Sequence, residues 1–190
     1  MKSEIRVIGI DDAPFSFKSV ETLVVGVVMR GKSYVEGILS TKVKVDGTDS
    51  TAKLIEMINS TRHKQQLRAI LVDGVALGGF NVLDIDELAA ETNLPVLTIT
   101  RDKPDLESIE NALRKHFTDW KARLELMSRG EIQKIETSHK PIWIKHSGVE
   151  LSKAKEIIQL TTMRGALPEP IRLAHLIASG TTKGESYGNA

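Results

Sequence analysis

The chain predicts an α/β domain on a mixed sheet: a three-strand antiparallel meander continued by parallel strands and flanked by helices. Three observations carry this. Short aliphatic runs such as Val7-Ile8-Gly9-Ile10 and Ala69-Ile70-Leu71-Val72 have the length and content of strands buried on both faces. The first three β-rich stretches follow one another with only turns between them. Beyond residue 50, apolar residues at helical spacing alternate with further aliphatic runs, the pattern of parallel strands joined by crossover helices.

Residues 5–10, 21–29 and 34–45 form the meander. The second stretch carries Val24-Val25-Gly26-Val27-Val28, and Gly31-Lys32 marks the turn into the third. The segment Asp12-Ala13-Pro14-Phe15-Ser16-Phe17 is a loop beside Asp11. Asp49-Ser50-Thr51 precedes Leu54, Ile55, Met57 and Ile58, so Asp49 or Ser50 caps a helix over 50–61. A strand over 69–73 follows. Next come a short helix over 84–92, with Leu83, Leu88 and Ala89 inward, and a buried strand over 95–100. A long amphipathic helix is expected over 105–128, ended by Gly130. Residues 131–136 and 141–145 pair as a hairpin, and helices over 150–163 and 168–180 close a single domain, residues 1–180. The polar, Gly-containing stretch 181–190 reads as a flexible tail. The order βββ-α-β-α-β-α is that of the ribonuclease H-like fold, in which the first and fourth strands lie parallel and adjacent.

Composition bounds the function. The 190 residues are 41% hydrophobic and 27% charged, enough for one real core. Only 4% are aromatic, so that core is built from Val, Ile, Leu and Ala. Net charge is +1, which gives no global field toward nucleic acid or an anionic membrane, so any phosphate site must be a local basic patch. There is no cysteine, which excludes disulfides and thiolate metal sites and leaves carboxylate or imidazole as metal ligands. The amino terminus runs directly into a strand, without the basic and apolar regions of a secretion signal. No apolar stretch approaches the length of a membrane span. A cytoplasmic protein is expected.

Asp73 and Asp11 are the most informative residues. Each closes an aliphatic run, and carboxylates at the carboxyl ends of strands stand where open α/β sheets place ligands and metals. Each also reads as a plain turn former, because Asp bonds its own backbone readily. If the first and fourth strands are neighbours, the two carboxylates meet at one sheet edge. Asp49, at the start of the first helix, is the third candidate, and Asp46 competes with it although its Asp-Gly context suits a turn. Asp12 reads as a solvent group or a supporting one. Two carboxylates plus substrate phosphate and water suffice for Mg²⁺ or Mn²⁺, and a pair of such ions supports phosphodiester hydrolysis. Lys140, Lys145 and His146 form one cationic group and Arg101 and Lys103 another. Both are expected at the carboxyl edge of the sheet, holding phosphates, with His146 a general base or ligand. The alternative for these is ordinary surface charge. Glu169, Arg172 and His175, three apart on one helix face, read as a dock for the last helix.

At these residues the chain resembles an uncharacterised, mainly archaeal family, a domain of unknown function related to endonuclease V. The shared blocks are Ile8-Gly9-Ile10-Asp11-Asp12-Ala13-Pro14-Phe15, Val45-Asp46-Gly47-Thr48-Asp49-Ser50-Thr51, Leu71-Val72-Asp73-Gly74 and Gly79-Phe80-Asn81-Val82. They continue with Leu167-Pro168-Glu169-Pro170-Ile171-Arg172-Leu173-Ala174-His175 and Gly184-Glu185-Ser186, so the likeness spans nearly the whole chain. The resemblance implies an endonuclease V-like fold and a Mg²⁺-dependent nuclease acting on DNA or RNA. Asp11 and Asp73 match two acidic ligands, Asp49 falls near the family's glutamate, and Arg101 near its lysine. Ser147, beside His146, falls near its late metal-site residue. The chain departs from endonuclease V in having Gly37-Ile38-Leu39-Ser40-Thr41 where a Pro-Tyr-Ile-Pro wedge opens the duplex, and Asp73-Gly74-Val75-Ala76 in place of Asp-Gly-His-Gly. The resemblance therefore carries the metal chemistry further than recognition of a deaminated base. The reading from a second class is a noncatalytic nucleic-acid-binding or adaptor protein that keeps the fold.

Overall fold

Strand β1 (Arg6–Asp12) is buried along both faces, as its run of aliphatic residues and glycine requires. It lies between the second strand of the meander and a parallel strand. In the computed structural model, which describes residues 4–16 and 18–187, β2 (Glu21–Arg30) and β3 (Tyr34–Lys44) pair antiparallel to it in turn. Helix α1 (Ser50–Ser60) leads into β4 (Leu67–Asp73), which returns to lie parallel to β1. Two short strands, β5 (Ala76–Leu77) and β6 (Asn81–Val82), form a hairpin directly after Asp73. Helix α2 (Ile85–Thr92) then feeds β7 (Val96–Thr100), parallel to β4. Helices α3 (Leu106–His116) and α4 (Trp120–Ser128) precede β8 (Gln133–Ile135) and β9 (Ile142–Ser147), and α5 (Leu151–Thr161) and α6 (Glu169–Lys183) end the fold. The main sheet runs β3-β2-β1-β4-β7-β9-β8. This is the expected mixed sheet flanked by helices.

Strand alternation sorts the core into two layers. Ile8, Ile10, Ile70 and Val72 pack against Leu54 and Ile58 of α1 and Leu88 of α2. Val7, Ala69, Leu71 and Leu97 pack against Ile157 and Ile158 of α5 and Ile171 of α6. Most of these side chains are wholly buried, and each Val, Leu and Ile among them contributes about 1.5–3 kcal/mol of transfer free energy. Among the described residues no helix is long and apolar enough to cross a membrane.

Two helix boundaries differ from the sequence expectation. The helix expected over 105–128 is broken at Phe117, whose backbone is extended. Phe117 turns its ring edge-on to Phe80, centroids 5.5 Å apart, and the Arg123 guanidinium lies 4.4 Å over it. Asp119 takes the N-cap position of α4 and accepts two hydrogen bonds from Arg123 Nε at 3.0 Å. An aromatic contact and an Asp at a helix start thus outweigh the continuous apolar stripe. The last helix runs through Gly180 to Lys183 and stops at Gly184, whose φ of 83° supplies the left-handed cap. Of the stretch expected as a tail, residues 188–190 lie outside the described residues, as does Phe17 of the first loop.

Candidate active site

The parallel register of β1 and β4 sets Ile10 opposite Val72, so Asp11 and Asp73 follow side by side at the carboxyl ends of neighbouring strands. Alternation puts both on the α5–α6 face, with Val7, Ala69 and Leu71 below them. Helix α6 comes down on this face at Gly9. A Cβ there would stand 2.2 Å from the carbonyl carbon of Pro170, so only glycine admits the helix this close. The first turn of α6 is stapled by Arg172, which donates to both Glu169 oxygens at 2.6 and 2.9 Å. One turn further on, His175 reaches the acid pair, its Nδ1 standing 2.8 Å from Asp11 Oδ2.

The electrostatics are those of carboxylates held in too little water. The Asp11 carboxyl is pushed up to about 7, first by burial and then by the charges of Asp73 and Asp12, while its hydrogen bond to His175 pulls the other way. Burial also raises Asp73, against the opposing charges of Arg101 and His175. Asp12 is raised by burial too, and its Oδ2 accepts the Gly78 N–H at 2.9 Å. Hydrogen-bond bookkeeping on His175 agrees. Its Nδ1 faces a carboxylate oxygen and its Nε2 faces the Tyr187 carbonyl oxygen at 3.2 Å. Both nitrogens are satisfied only if the Asp11–His175 pair carries one proton more than a carboxylate and a neutral imidazole.

The remaining candidates are placed differently. Asp49 sits at the N-cap position of α1, but its Oδ1 accepts from Lys44 N at 3.1 Å and from Asn81 Nδ2 at 2.7 Å rather than capping the helix. Asn81 is wholly buried and accepts from Ser50 N at 3.0 Å, so Asp49 fastens the β5–β6 hairpin to α1. Asp46, at φ 55°, accepts the Phe80 N–H at 2.9 Å and tethers the same hairpin. The charges that bear on Asp11 and Asp73 come instead from each other, Asp12, Arg101 and His175.

Lys145, His146 and Ser147 are not brought to the carboxyl edge. Strand β9 runs antiparallel to β7, so Trp143 lies opposite Thr100 while Ser147 lies opposite Val96, at the far end. Lys145 is buried and donates to the carbonyls of Met127 and Arg129, closing the end of α4. Ser147 Oγ bonds Asp86 at 2.5 Å. Reversal of one strand carries these three residues to the opposite end of the sheet, whereas Lys140, just before β9, stays beside Arg101.

Two residues at the site have other leading readings in the sequence, Asp12 as a solvent or supporting group and His175 as part of a helix dock. Asp12 contributes a third raised carboxyl, and His175 contacts Asp11. For His175 the signal was present: its spacing from Glu169 and Arg172 put it on one face with them. Among the described residues no three of His, Cys, Asp and Glu converge into a ready-made metal cage. The oxygen donors of Asp11 and Asp73 nonetheless fit a hard divalent cation, which takes few protein ligands and completes its shell with water and phosphate. Two carboxyl groups raised by burial would both gain from a cation's charge.

The chain matches the family model of endonuclease dU over residues 3–182. It is 50% identical over 192 residues to a "UPF0215 protein" of Methanothermobacter thermautotrophicus, covering 100% of this chain and 94% of that protein. Its fold matches the crystal structure of a protein of unknown function from Archaeoglobus fulgidus, with TM-score 0.86 and 35% identity over 97% of this chain and 100% of the other. A more distant likeness, TM-score 0.59 and 16% identity over 90% of this chain and 82% of the other, is to Ciona intestinalis endonuclease V in complex with an inosine-containing DNA.

Proposed function

The chain belongs to the endonuclease dU family, and from that membership we propose a divalent-metal-dependent phosphodiesterase that cuts DNA or RNA. The observation that carries this is the Asp11–Asp73 pair, side by side on adjacent parallel strands and half to fully buried. Asp11 and Asp73 would hold Mg²⁺ or Mn²⁺, with Asp12 next to them. The ion, when bound, supplies an activated water and charge stabilisation at the phosphate. The protein's own residues do the positioning. Glu169 and Arg172 fix α6, α6 fixes His175, and His175 orients the Asp11 carboxylate and holds a proton beside it. Arg101, at the end of β7, supplies a cation next to Asp73. The family name makes deoxyuridine the first lesion to test, and the endonuclease V likeness makes inosine the second. A cytoplasmic location belongs to the same reading.

The test is strand cleavage with Mg²⁺ or Mn²⁺ on single- and double-stranded DNA and RNA, plain or carrying deoxyuridine or inosine. Wild type should cut at least one substrate, and Asp73→Asn, with its fold intact, should cut none. Equal activity in wild type and Asp73→Asn would refute the assignment. Binding without cleavage by wild type would favour a noncatalytic nucleic-acid-binding protein that keeps the fold.

A further inference from the structure

Arg101, Lys140, Arg164 and Arg172 line one cleft of about 350 Å³, with Asp102 and Leu167. The four cations come from four separate segments: the end of β7, the loop before β9, the link between α5 and α6, and the first turn of α6. The whole chain has a net charge of only +1, so four cations against one acid in this cleft are not a sample of the general surface. Arg172 is already bonded to Glu169. Lys140 and Arg164 are exposed and form no ion pair with an acidic side chain among the described residues. Arg101 links the cleft to the acid pair, since its charge bears on Asp73.

We infer that this cleft binds a phosphate of a nucleic-acid strand lying across the Asp11–Asp73 edge, and holds it by charge without reading sequence. The inference rests on the proposed function for the presence of a strand, and adds the place that positions it. Guanidinium and ammonium groups are the usual partners of backbone phosphate, and such contacts fix register rather than identity. None of the residues lining the cleft is aromatic, so it offers no platform on which a base could stack. Its volume leaves room for one phosphate with its sugar. An internal backbone phosphate and a terminal monophosphate share this chemistry.

The experiment is fluorescence anisotropy of the full chain with a labelled single-stranded oligonucleotide, across a salt series in EDTA. With metal removed, binding is read independently of cleavage, so failure here and failure of the nuclease reading are separable. Each single-strand phosphate contact contributes about 0.7 to the slope of log affinity against log salt. Lys140→Gln and Arg164→Gln should each lower the slope in part, and the double variant by about that amount in all, equally on oligonucleotides of different sequence. Asp102→Asn should tighten binding several-fold, a gain that misfolding cannot produce. A loss seen on oligonucleotides with and without a 5′-phosphate assigns an internal phosphate, and a loss confined to the 5′-phosphorylated one assigns a terminal phosphate. An unchanged slope in the Lys140→Gln, Arg164→Gln double variant, together with unchanged affinity in Asp102→Asn, overturns the inference.

Discussion

Asp11→Asn should remove the site and steepen the contrast between stability and function. In the folded protein the Asp11 carboxyl is raised from 3.8 to about 7. A raised acid favours the fold most where it is protonated in both states, below its ordinary value. That advantage falls away between about pH 4 and pH 7, because the unfolded chain ionises first. The rise from 3.8 to about 7 corresponds to roughly 4 kcal/mol. The residue is 6% exposed, so little solvent screening reduces it. Asn does not titrate. The stability of Asp11→Asn relative to wild type should therefore rise by up to about 4 kcal/mol between pH 4 and pH 8, whatever its offset at low pH. For a chain of this size that is roughly 8–16 °C in midpoint. Urea unfolding in EDTA at pH 4.5, 6 and 8 measures it. Parallel pH profiles for the two proteins would refute the claim that Asp11 ionises at a cost in the fold. Saturating Mn²⁺ at pH 8 should restore wild type and leave Asp11→Asn unmoved.

Other outcomes follow from the same geometry. Mn²⁺ binding to wild type should release about one proton near pH 6.5, read by titration calorimetry in buffers of different ionisation enthalpy, because the cation displaces the proton shared by Asp11 and His175. Release of none would contradict the bookkeeping at His175. Asp49→Ala should cost about 1–3 kcal/mol by leaving the Asn81 side chain underbonded, yet preserve Mn²⁺ binding. Loss of metal binding at full stability would instead make Asp49 a ligand. Gly9→Ala should destabilise the fold by about 1–3 kcal/mol or more, since the added Cβ drives α6 off β1. Thermal melts decide it, and a neutral result would mean that α6 does not press on the strand as described.

How much of this was legible follows from what each residue depends on. Asp11 and Asp73 could be found because a strand's burial shows in its own aliphatic run, and element order alone makes β1 and β4 neighbours. Arg101 needed no more than its place after β7. Lys145, His146 and Ser147 were misplaced because the direction of β9 is set by its partner β7, and nothing within Ile142–Ser147 encodes it. Asp49 carries every local mark of a cap or ligand, yet its oxygen is taken by Asn81, 32 residues away. His175 lay within a motif that does dock a helix, and docking is what delivers it to Asp11. Its contact spans 164 residues, and only the close approach at Gly9 makes it form.

The Asp11–His175 contact also bears on the charge balance of the buried acid pair. Two adjacent carboxylates at a closed sheet edge repel, and burial denies them the water that would screen the repulsion. A hydrogen bond to the carboxylate eases this, and His175 makes one to Asp11 from a fixed position on α6. A divalent ion would do the same with greater charge, so proton and metal compete for Asp11. On the proposed reading metal affinity then rises as pH climbs through about 7. Arg101 biases the balance from the other side by offsetting charge at Asp73, and its neighbours Lys140 and Arg164 would add attraction for a phosphate that completes a metal's shell. On that reading metal, proton and phosphate act on one electrostatic balance: two carboxyl groups that burial keeps from ionising and that a cation and a phosphate would together stabilise.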